Sequence, residues 1–210
     1  MYIDIDRLDM ESVIANSYKN FHTKGFDYIC IGRTPALTEK LYFFNGDVSL
    51  LPDVVNPHDH RYHFWTTCLA GGVGNSVYEE VGNTSDPLDV FRSVAVDVFD
   101  YLTPLNGGDG FTHRGRTHLM EIGRWDYAPG ERYSMMADEI HTIHINQPGT
   151  VLYLRQYQDV VPVGTPTRTY SPDASPTPTT ADDGLYDKYT ADEIVAQLRI
   201  YNDKVSGGMA

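Results

Sequence analysis

The sequence predicts a mainly β protein, an antiparallel sandwich or barrel with one helix before it and one after it. Three observations carry that reading. From Phe26 to Val160 the chain breaks into short runs rich in β-branched and aromatic residues, set apart by turn residues such as Asn45-Gly46-Asp47, Leu105-Asn106-Gly107-Gly108-Asp109-Gly110 and Gln147-Pro148-Gly149. Apolar stripes at helical spacing lie near the two ends. Between the β-rich region and the last stripe the composition shifts to Pro, Thr, Ser and Asp, where Pro162, Pro166, Pro172, Pro176 and Pro178 block regular structure.

In chain order, Asp9 caps a first helix from Met10 to Thr23, with Met10, Val13, Ile14, Tyr18 and Phe21 as its apolar stripe and Gly25 as its stop. Strands follow at Phe26 to Gly32, Lys40 to Phe44, His58 to Ala70, Asn75 to Val81, Phe91 to Phe99, Thr117 to Tyr127, Arg132 to Met136, His141 to Ile145 and Thr150 to Val160. Thr190 and Glu193 form a capping box that opens a helix from Ala191 to Lys204, with Ile194, Leu198 and Tyr201 on one face. That stripe needs a surface to bury it, either the protein's own β-region or a second copy of the chain. The organisation expected is an N-terminal helical segment over 1–25, a β-barrel domain over 26–160, a strap or linker over 161–189, and a helix with a frayed tail over 190–210.

The 210 residues suffice for one buried core, and 41% hydrophobic with 21% charged residues belongs to a folded chain. A formal charge of −13 argues against nucleic acid as a partner, since phosphate binding needs a basic face. The absence of a long apolar run argues against a membrane span, and the start Met1-Tyr2-Ile3-Asp4 lacks the features of a secretory signal. Cys30 and Cys68 each sit in an apolar run and read as buried free thiols in a reducing, cytoplasmic setting.

The chemistry-bearing stretch is Asn56-Pro57-His58-Asp59-His60-Arg61-Tyr62-His63-Phe64. His58 and His60 are two apart, so on a strand both imidazoles leave the same face and form one wall of a metal site. A third ligand is available in His141, after the turn at Pro129-Gly130. His63 and Arg61 fall on the opposite face of an unbroken strand, and only one of His141 and His144 can look inward. His118, or a carboxylate from Glu79, Glu80 or Glu121, stays open as a further member, while His22 and His113 read as ordinary histidines.

These segments resemble the two motifs of the cupin superfamily. His58, His60 and Gly71 or Gly72 fit the first motif, and Gly130, His141 and Asn146 fit the second with the asparagine displaced by one. Phe64 or Trp65 stands where the first motif has a glutamate, and Met136 where the second has a proline. The resemblance spans Leu51 to Tyr157 and implies a jelly-roll β-barrel whose metal is held by His58, His60 and His141. Loss of the carboxylate looks like the three-histidine thiol dioxygenase branch typified by cysteine dioxygenase. That implies Fe(II), with Zn, Ni or Mn as alternatives, and as partners dioxygen and a small anionic substrate, a thiol among them. The branch's catalytic tyrosine falls near Val151 to Tyr157, where Arg155 stands close to its place. Tyr153 and Tyr157 are then the candidate catalytic tyrosines, and Arg155, which shares their parity, the candidate clamp for a substrate carboxylate or phosphate. A metal-assisted isomerase or lyase and a binding protein without turnover remain the competing expectations.

Overall fold

The computed structural model describes residues 1–46, 53–82, 86–103, 108–173, 176 and 185–207. Asp47, Leu51, Leu105 to Gly107, Pro178 and the tail beyond Gly207 lie outside the described residues. Alternation of apolar and polar residues gives β1 (Tyr18–Lys19), β2 (Phe26–Arg33), β3 (Leu37–Phe44), β4 (Tyr62–Ala70), β5 (Val73–Glu80), β6 (Val94–Leu102), β7 (Gly110–Tyr127), β8 (Arg132–Met135), β9 (Ile140–Ile145), β10 (Thr150–Asp159), β11 (Thr167–Ser171) and β12 (Asp187–Lys188). The larger sheet runs β12-β1-β2-β3-β10-β4-β8 and the smaller β11-β6-β7-β5-β9, with antiparallel pairing throughout. The orders β3-β10-β4-β8 and β9-β5-β7, with the segment 57–59 laid beside β9, make this a jelly roll.

Cross-strand register decides which residues look inward. Leu152, Leu154 and Gln156 of β10 sit opposite Cys68, Thr66 and Phe64 of β4. The inner core collects Phe26, Tyr28, Cys30, Tyr42, Phe44, Phe64, Cys68, Leu152 and Leu154 from the larger sheet, and Val73, Ile143 and Ile145 from the smaller. Both thiols are free and buried, as expected. On the outer face of the larger sheet, Ile29, Leu41, Phe43 and Val151 meet Ile194, Leu198 and Tyr201 of α3 (Ala191–Gly207) and Val13 of α1 (Met10–Asn16). The C-terminal stripe is therefore buried on its own chain. Its capping box is formed as expected, with the Thr190 N–H donating to Glu193 Oε2 at 2.8 Å and the Glu193 N–H to Thr190 Oγ1 at 3.3 Å.

One short segment ties the smaller sheet together. The His58 N–H donates to the His141 carbonyl at 2.9 Å, and the His141 N–H returns to the His58 carbonyl at 3.0 Å. On its other side, the Tyr170 N–H donates to the Pro57 carbonyl at 2.8 Å and the Asp59 N–H to the Arg168 carbonyl at 3.1 Å. Residues 57–59 thus bridge β9 to β11, so both edge strands of the smaller sheet find partners. The Asp59 carboxylate reinforces the bridge, accepting from the Arg168 N–H at 2.6 Å and Arg168 Nε at 3.0 Å.

Three local expectations are corrected. The first helix is capped by Asp9 but stops at Asn16, well before Thr23. Ser17 Oγ donates to the Val13 carbonyl and accepts the Cys30 N–H, and Tyr18 pairs with Tyr28, so the sheet takes residues that helical periodicity alone would have kept. The strand expected from Phe91 begins only at Val94, because Asp86 and Pro87 start a short helix α2 (Pro87–Arg92), with Asp86 accepting the Leu88 N–H at 2.8 Å. Within the described residues of the 161–189 segment, where prolines argued against regular structure, two strands form, β11 pairing with β6 and β12 with β1. Among the described residues, no helix is long and apolar enough to cross a membrane.

Leu198 and Ile194 are both 0% exposed. Truncating either to alanine is expected to cost about 2–5 kcal/mol in denaturant unfolding, whereas Ile200→Ala, at a position 64% exposed, is expected to cost less than about 0.5 kcal/mol. Equal losses at all three positions would mean that α3 is not docked through this stripe.

Candidate metal centre

The bridge that closes the smaller sheet also delivers the histidines. His58 lies within it, His60 follows at the start of the turn into β4, and His141 is the second residue of β9. Each offers one ring nitrogen to a group whose atoms all lie within 4.8 Å of one another. The ring centroids are 4.7 Å apart for His58 and His60, 5.3 Å for His58 and His141, and 5.0 Å for His60 and His141. No carboxylate belongs to the group.

Hydrogen bonds fix which nitrogen faces the centre. His58 Nδ1 donates to the Asn56 carbonyl at 2.9 Å, and His141 Nδ1 donates to Asn75 Oδ1 at 2.6 Å, so in both rings Nε2 carries the free lone pair. Asn75 is itself held, its amide donating to Met135 Sδ at 3.5 Å. His60 Nδ1 is buried with no hydrogen-bond partner among the described residues. Burial is the main cause that lowers the basicity of all three imidazoles, His60 and His141 most; neighbouring histidines add to it for His60 and His141, whereas the Asn56 carbonyl and Asp59 partly offset it for His58. Three neutral imidazoles, two with Nδ1 tied back and one with an orphaned nitrogen, fit a divalent transition-metal ion.

Among the described residues no fourth protein ligand joins the group, and Phe64 accounts for the flank nearest β4. Its ring lies 4.8 Å from that of His60 and 5.6 Å from that of His141, filling the flank where a side chain from β4 would approach. Trp65, the neighbour in sequence, points to the opposite face and is 44% exposed.

The remaining histidines and acids fall outside the group. His63 Nδ1 accepts the Ala137 N–H at 2.9 Å, and His144 packs on the far face of β9, where Gly74 leaves room for its ring. A Cβ at Gly74 would sit 1.7 Å from His144 Nε2, so any larger residue would have to displace the His144 ring. Glu80 accepts from Arg168 Nη1 at 3.2 Å and from the Tyr170 hydroxyl at 3.0 Å, on the other side of the smaller sheet. Glu79, Glu121 and His118 do not join the three. His113 is a surface partner of Asp97 at 2.8 Å.

The expectation for β10 is corrected. Tyr153, Arg155 and Tyr157 do share a face, but it is the outer one, because Leu152, Leu154 and Gln156 take the inner positions opposite β4. Tyr153 packs into the core under α3 with its hydroxyl on Glu39, and Arg155 Nε lies 3.8 Å from Glu39 Oε1. None of the three meets the histidines.

The inner face holds different polar residues. Tyr28, Tyr42, Tyr62 and Tyr133 line the inner core, and burial raises the pKa of each phenol, keeping it protonated and able to donate. The Tyr62 ring lies 5.4 Å from His60. Lys40 shares the parity of Tyr42 and Phe44 and so faces the same interior. His22, read from the sequence as ordinary, sits among Phe21, Phe26 and Tyr186 in a left-handed conformation with φ 67°, its Nδ1 2.8 Å from the Tyr186 hydroxyl. Strand parity could have found Lys40, but no sequence pattern marks His22. From outside, a cleft of about 440 Å³ reaches His60 between His63, Ala137, Asp138, Val160 and the strap residues Val161 and Thr165.

No family model matches the chain, and no curated protein matches it. Among solved structures the chain is similar to KdgF from Halomonas sp., at 14% identity over 64% of this chain and 82% of that one, with a TM-score of 0.33. It is similar also to a cupin superfamily protein from Desulfitobacterium hafniense DCB-2, at 11% identity over 63% and 76% of the two chains and a TM-score of 0.35. A third is hydroquinone 1,2-dioxygenase from Sphingomonas sp. TTNP3 with 4-hydroxybenzoate bound, at 12% identity over 73% and 75% and a TM-score of 0.38. By its own strand order and side chains, the chain is a jelly-roll barrel with three inward-converging histidines.

The depressed histidines give the metal-free protein a pH-dependent stability. Folded values lie below the unfolded value of 6.5, reaching about 3 for His22, so below pH 6.5 the unfolded chain binds more protons than the folded one. Stability is then fully present above pH 6.5 and falls as pH drops from there toward the folded values. The urea midpoint of chelator-treated protein is expected to decline from pH 6.5 to 5, and His22→Leu to flatten that slope. A midpoint constant across this window would contradict the burial assigned to these rings.

Proposed function

We propose that the protein is a metal-dependent enzyme, a non-haem Fe(II) dioxygenase acting on a small anionic molecule, with thiols as the substrate class to assay first. One observation carries the reading: three neutral imidazoles converge inside the barrel while Phe64 occupies the flank where a carboxylate ligand would stand. Such a donor set leaves the ion's charge uncompensated and positions open, a combination that favours an anionic substrate beside dioxygen. Bound ferrous iron would supply the site at which the two are brought together and activated.

The chain's own residues do the rest. His58 and His141 present Nε2 in fixed orientation because Asn56 and Asn75 hold their other nitrogens. Phe64 excludes water from one side of the centre. Tyr62, protonated and beside His60, is placed to donate a hydrogen bond or a proton to a bound anion, the role the sequence suggested for Tyr153 or Tyr157.

Purified without chelator, the protein is expected to hold one divalent metal per chain, lost in His58→Ala, His60→Ala and His141→Ala and kept in His63→Ala and His144→Ala. Full occupancy in the first three variants would reject the centre. Asn75→Ala is expected to bind metal roughly tenfold to a hundredfold more weakly. The iron-loaded protein is expected to consume oxygen with small thiols. Oxygen uptake no faster than free iron across a panel of thiols and small acids would reject the dioxygenase reading and leave Lewis-acid chemistry or ligand storage.

A further inference from the structure

Lys40 is a cation turned into the barrel that no anion meets among the described residues. Its register places it between Cys30 of β2 and Leu154 of β10, and Leu154 in turn opposes Thr66 of β4. Phe64, two residues along β4 on the same face, touches His60 and His141. Strands lie about 4.8 Å apart, so Lys40 stands about 10 Å across the sheet from the β4 row beside the histidines, a gap that its own side chain narrows.

Its surroundings make the charge an anomaly. Among the described residues no carboxylate or hydrogen-bond acceptor pairs with the ammonium, whose recorded partner is the Tyr28 ring, 4.9 Å from Nζ to centroid. A cation over an aromatic face recovers only part of what burial costs an ammonium. Desolvation lowers its pKa to about 8, which leaves it charged at neutral pH. Lys40, Tyr62 and Tyr133 keep partial exposure although they face inward, so this part of the inner face opens to solvent and is not sealed by packing. The chain's other basic residues near the centre are already engaged: Arg168 by Asp59 and Glu80, Arg114 by Asp100, and Arg61 by Asp159.

We propose that Lys40 is the specificity-determining anchor of the chamber, pairing with the carboxylate or other oxyanion at one end of a ligand whose other end reaches the three-histidine centre. Tyr28 and Tyr42, neighbours of Lys40 on the inner face, flank that oxyanion with protonated hydroxyls. The inference rests on the metal reading above, and the test separates the two. Cobalt(II)-loaded wild-type protein and Lys40→Met are titrated without oxygen against 3-mercaptopropionate and against 2-mercaptoethanol, following the absorption of the cobalt. Each thiol serves as a metal-binding probe, and only the first carries a carboxylate.

The expected result is that Lys40→Met binds 3-mercaptopropionate roughly tenfold to a hundredfold more weakly than wild type, while the 2-mercaptoethanol midpoint is unchanged. Lys40→Arg, which keeps the charge, is expected to recover part of the difference. Should Lys40→Met fail to fold, Lys40→Gln reads the same two midpoints. Cobalt bound in both proteins with equal 3-mercaptopropionate midpoints overturns the Lys40 assignment alone. A wild-type chain that takes up no cobalt, or a His60→Ala chain that takes it up equally, overturns the metal reading and this inference with it.

Discussion

The backbone of residues 57–59 is the constraint on which the architecture and the centre both depend. Its peptide groups satisfy the edges of β9 and β11 at once, so His58 is fixed by hydrogen bonds on both sides of its strand position. A histidine on a free loop would have to be ordered anew each time a metal bound; here that ordering accompanies sheet formation. The Asp59–Arg168 pair locks the same segment through side chains, in a charge-assisted arrangement that also recruits Glu80 and Tyr170. The Asp59 carboxylate is thus engaged by the backbone and side chain of Arg168. Its charge is spent on β11.

That division of labour keeps the centre free of acids. The chain carries a formal charge of −13, yet among the described residues no carboxylate joins the histidine group. A carboxylate there would halve an ion's net charge and weaken its pull on an anionic ligand. Phe64 instead lays an apolar wall against His60 and His141, which strengthens any electrostatic interaction left inside. Screening confines the influence of the acidic surface to about 8 Å at physiological ionic strength, so an anion inside the chamber responds to the local cations more than to the net charge.

Much of this is legible in the sequence, for a physical reason. Strand parity has a period of two, so the opposed faces of His141 and His144 follow from counting along β9. His58 and His60 converge although the strand expected from His58 begins only at Tyr62, with His58 in an isolated bridge and His60 outside any strand. What counting cannot supply is the absolute direction of a face. Tyr153, Arg155 and Tyr157 do lie together, but inward and outward are set by what each sheet face packs against, and α3 covers that side. The early end of α1 is illegible for a related reason, since Tyr18 and Phe21 suit a helical stripe and the inner core equally well. In the strap, prolines rule out a central strand but not an edge strand, and β11 with Arg168 is an edge that composition conceals.

The reversal of β10 also constrains where an anchor can come from. A jelly-roll interior is filled by alternate residues of a few strands, and here nearly all of them are apolar or aromatic. Arg155 cannot reach that interior without inverting β10, which would turn Tyr153, Arg155 and Tyr157 inward and take Leu152 and Leu154 out of the inner core. A cationic anchor must therefore occupy an inward position already present, and β3 supplies one at Lys40, where the Tyr42 and Phe44 alternation carries a charge into the core. A lysine so placed lowers stability unless something compensates it, and an unfilled compensation is what a binding site offers its ligand.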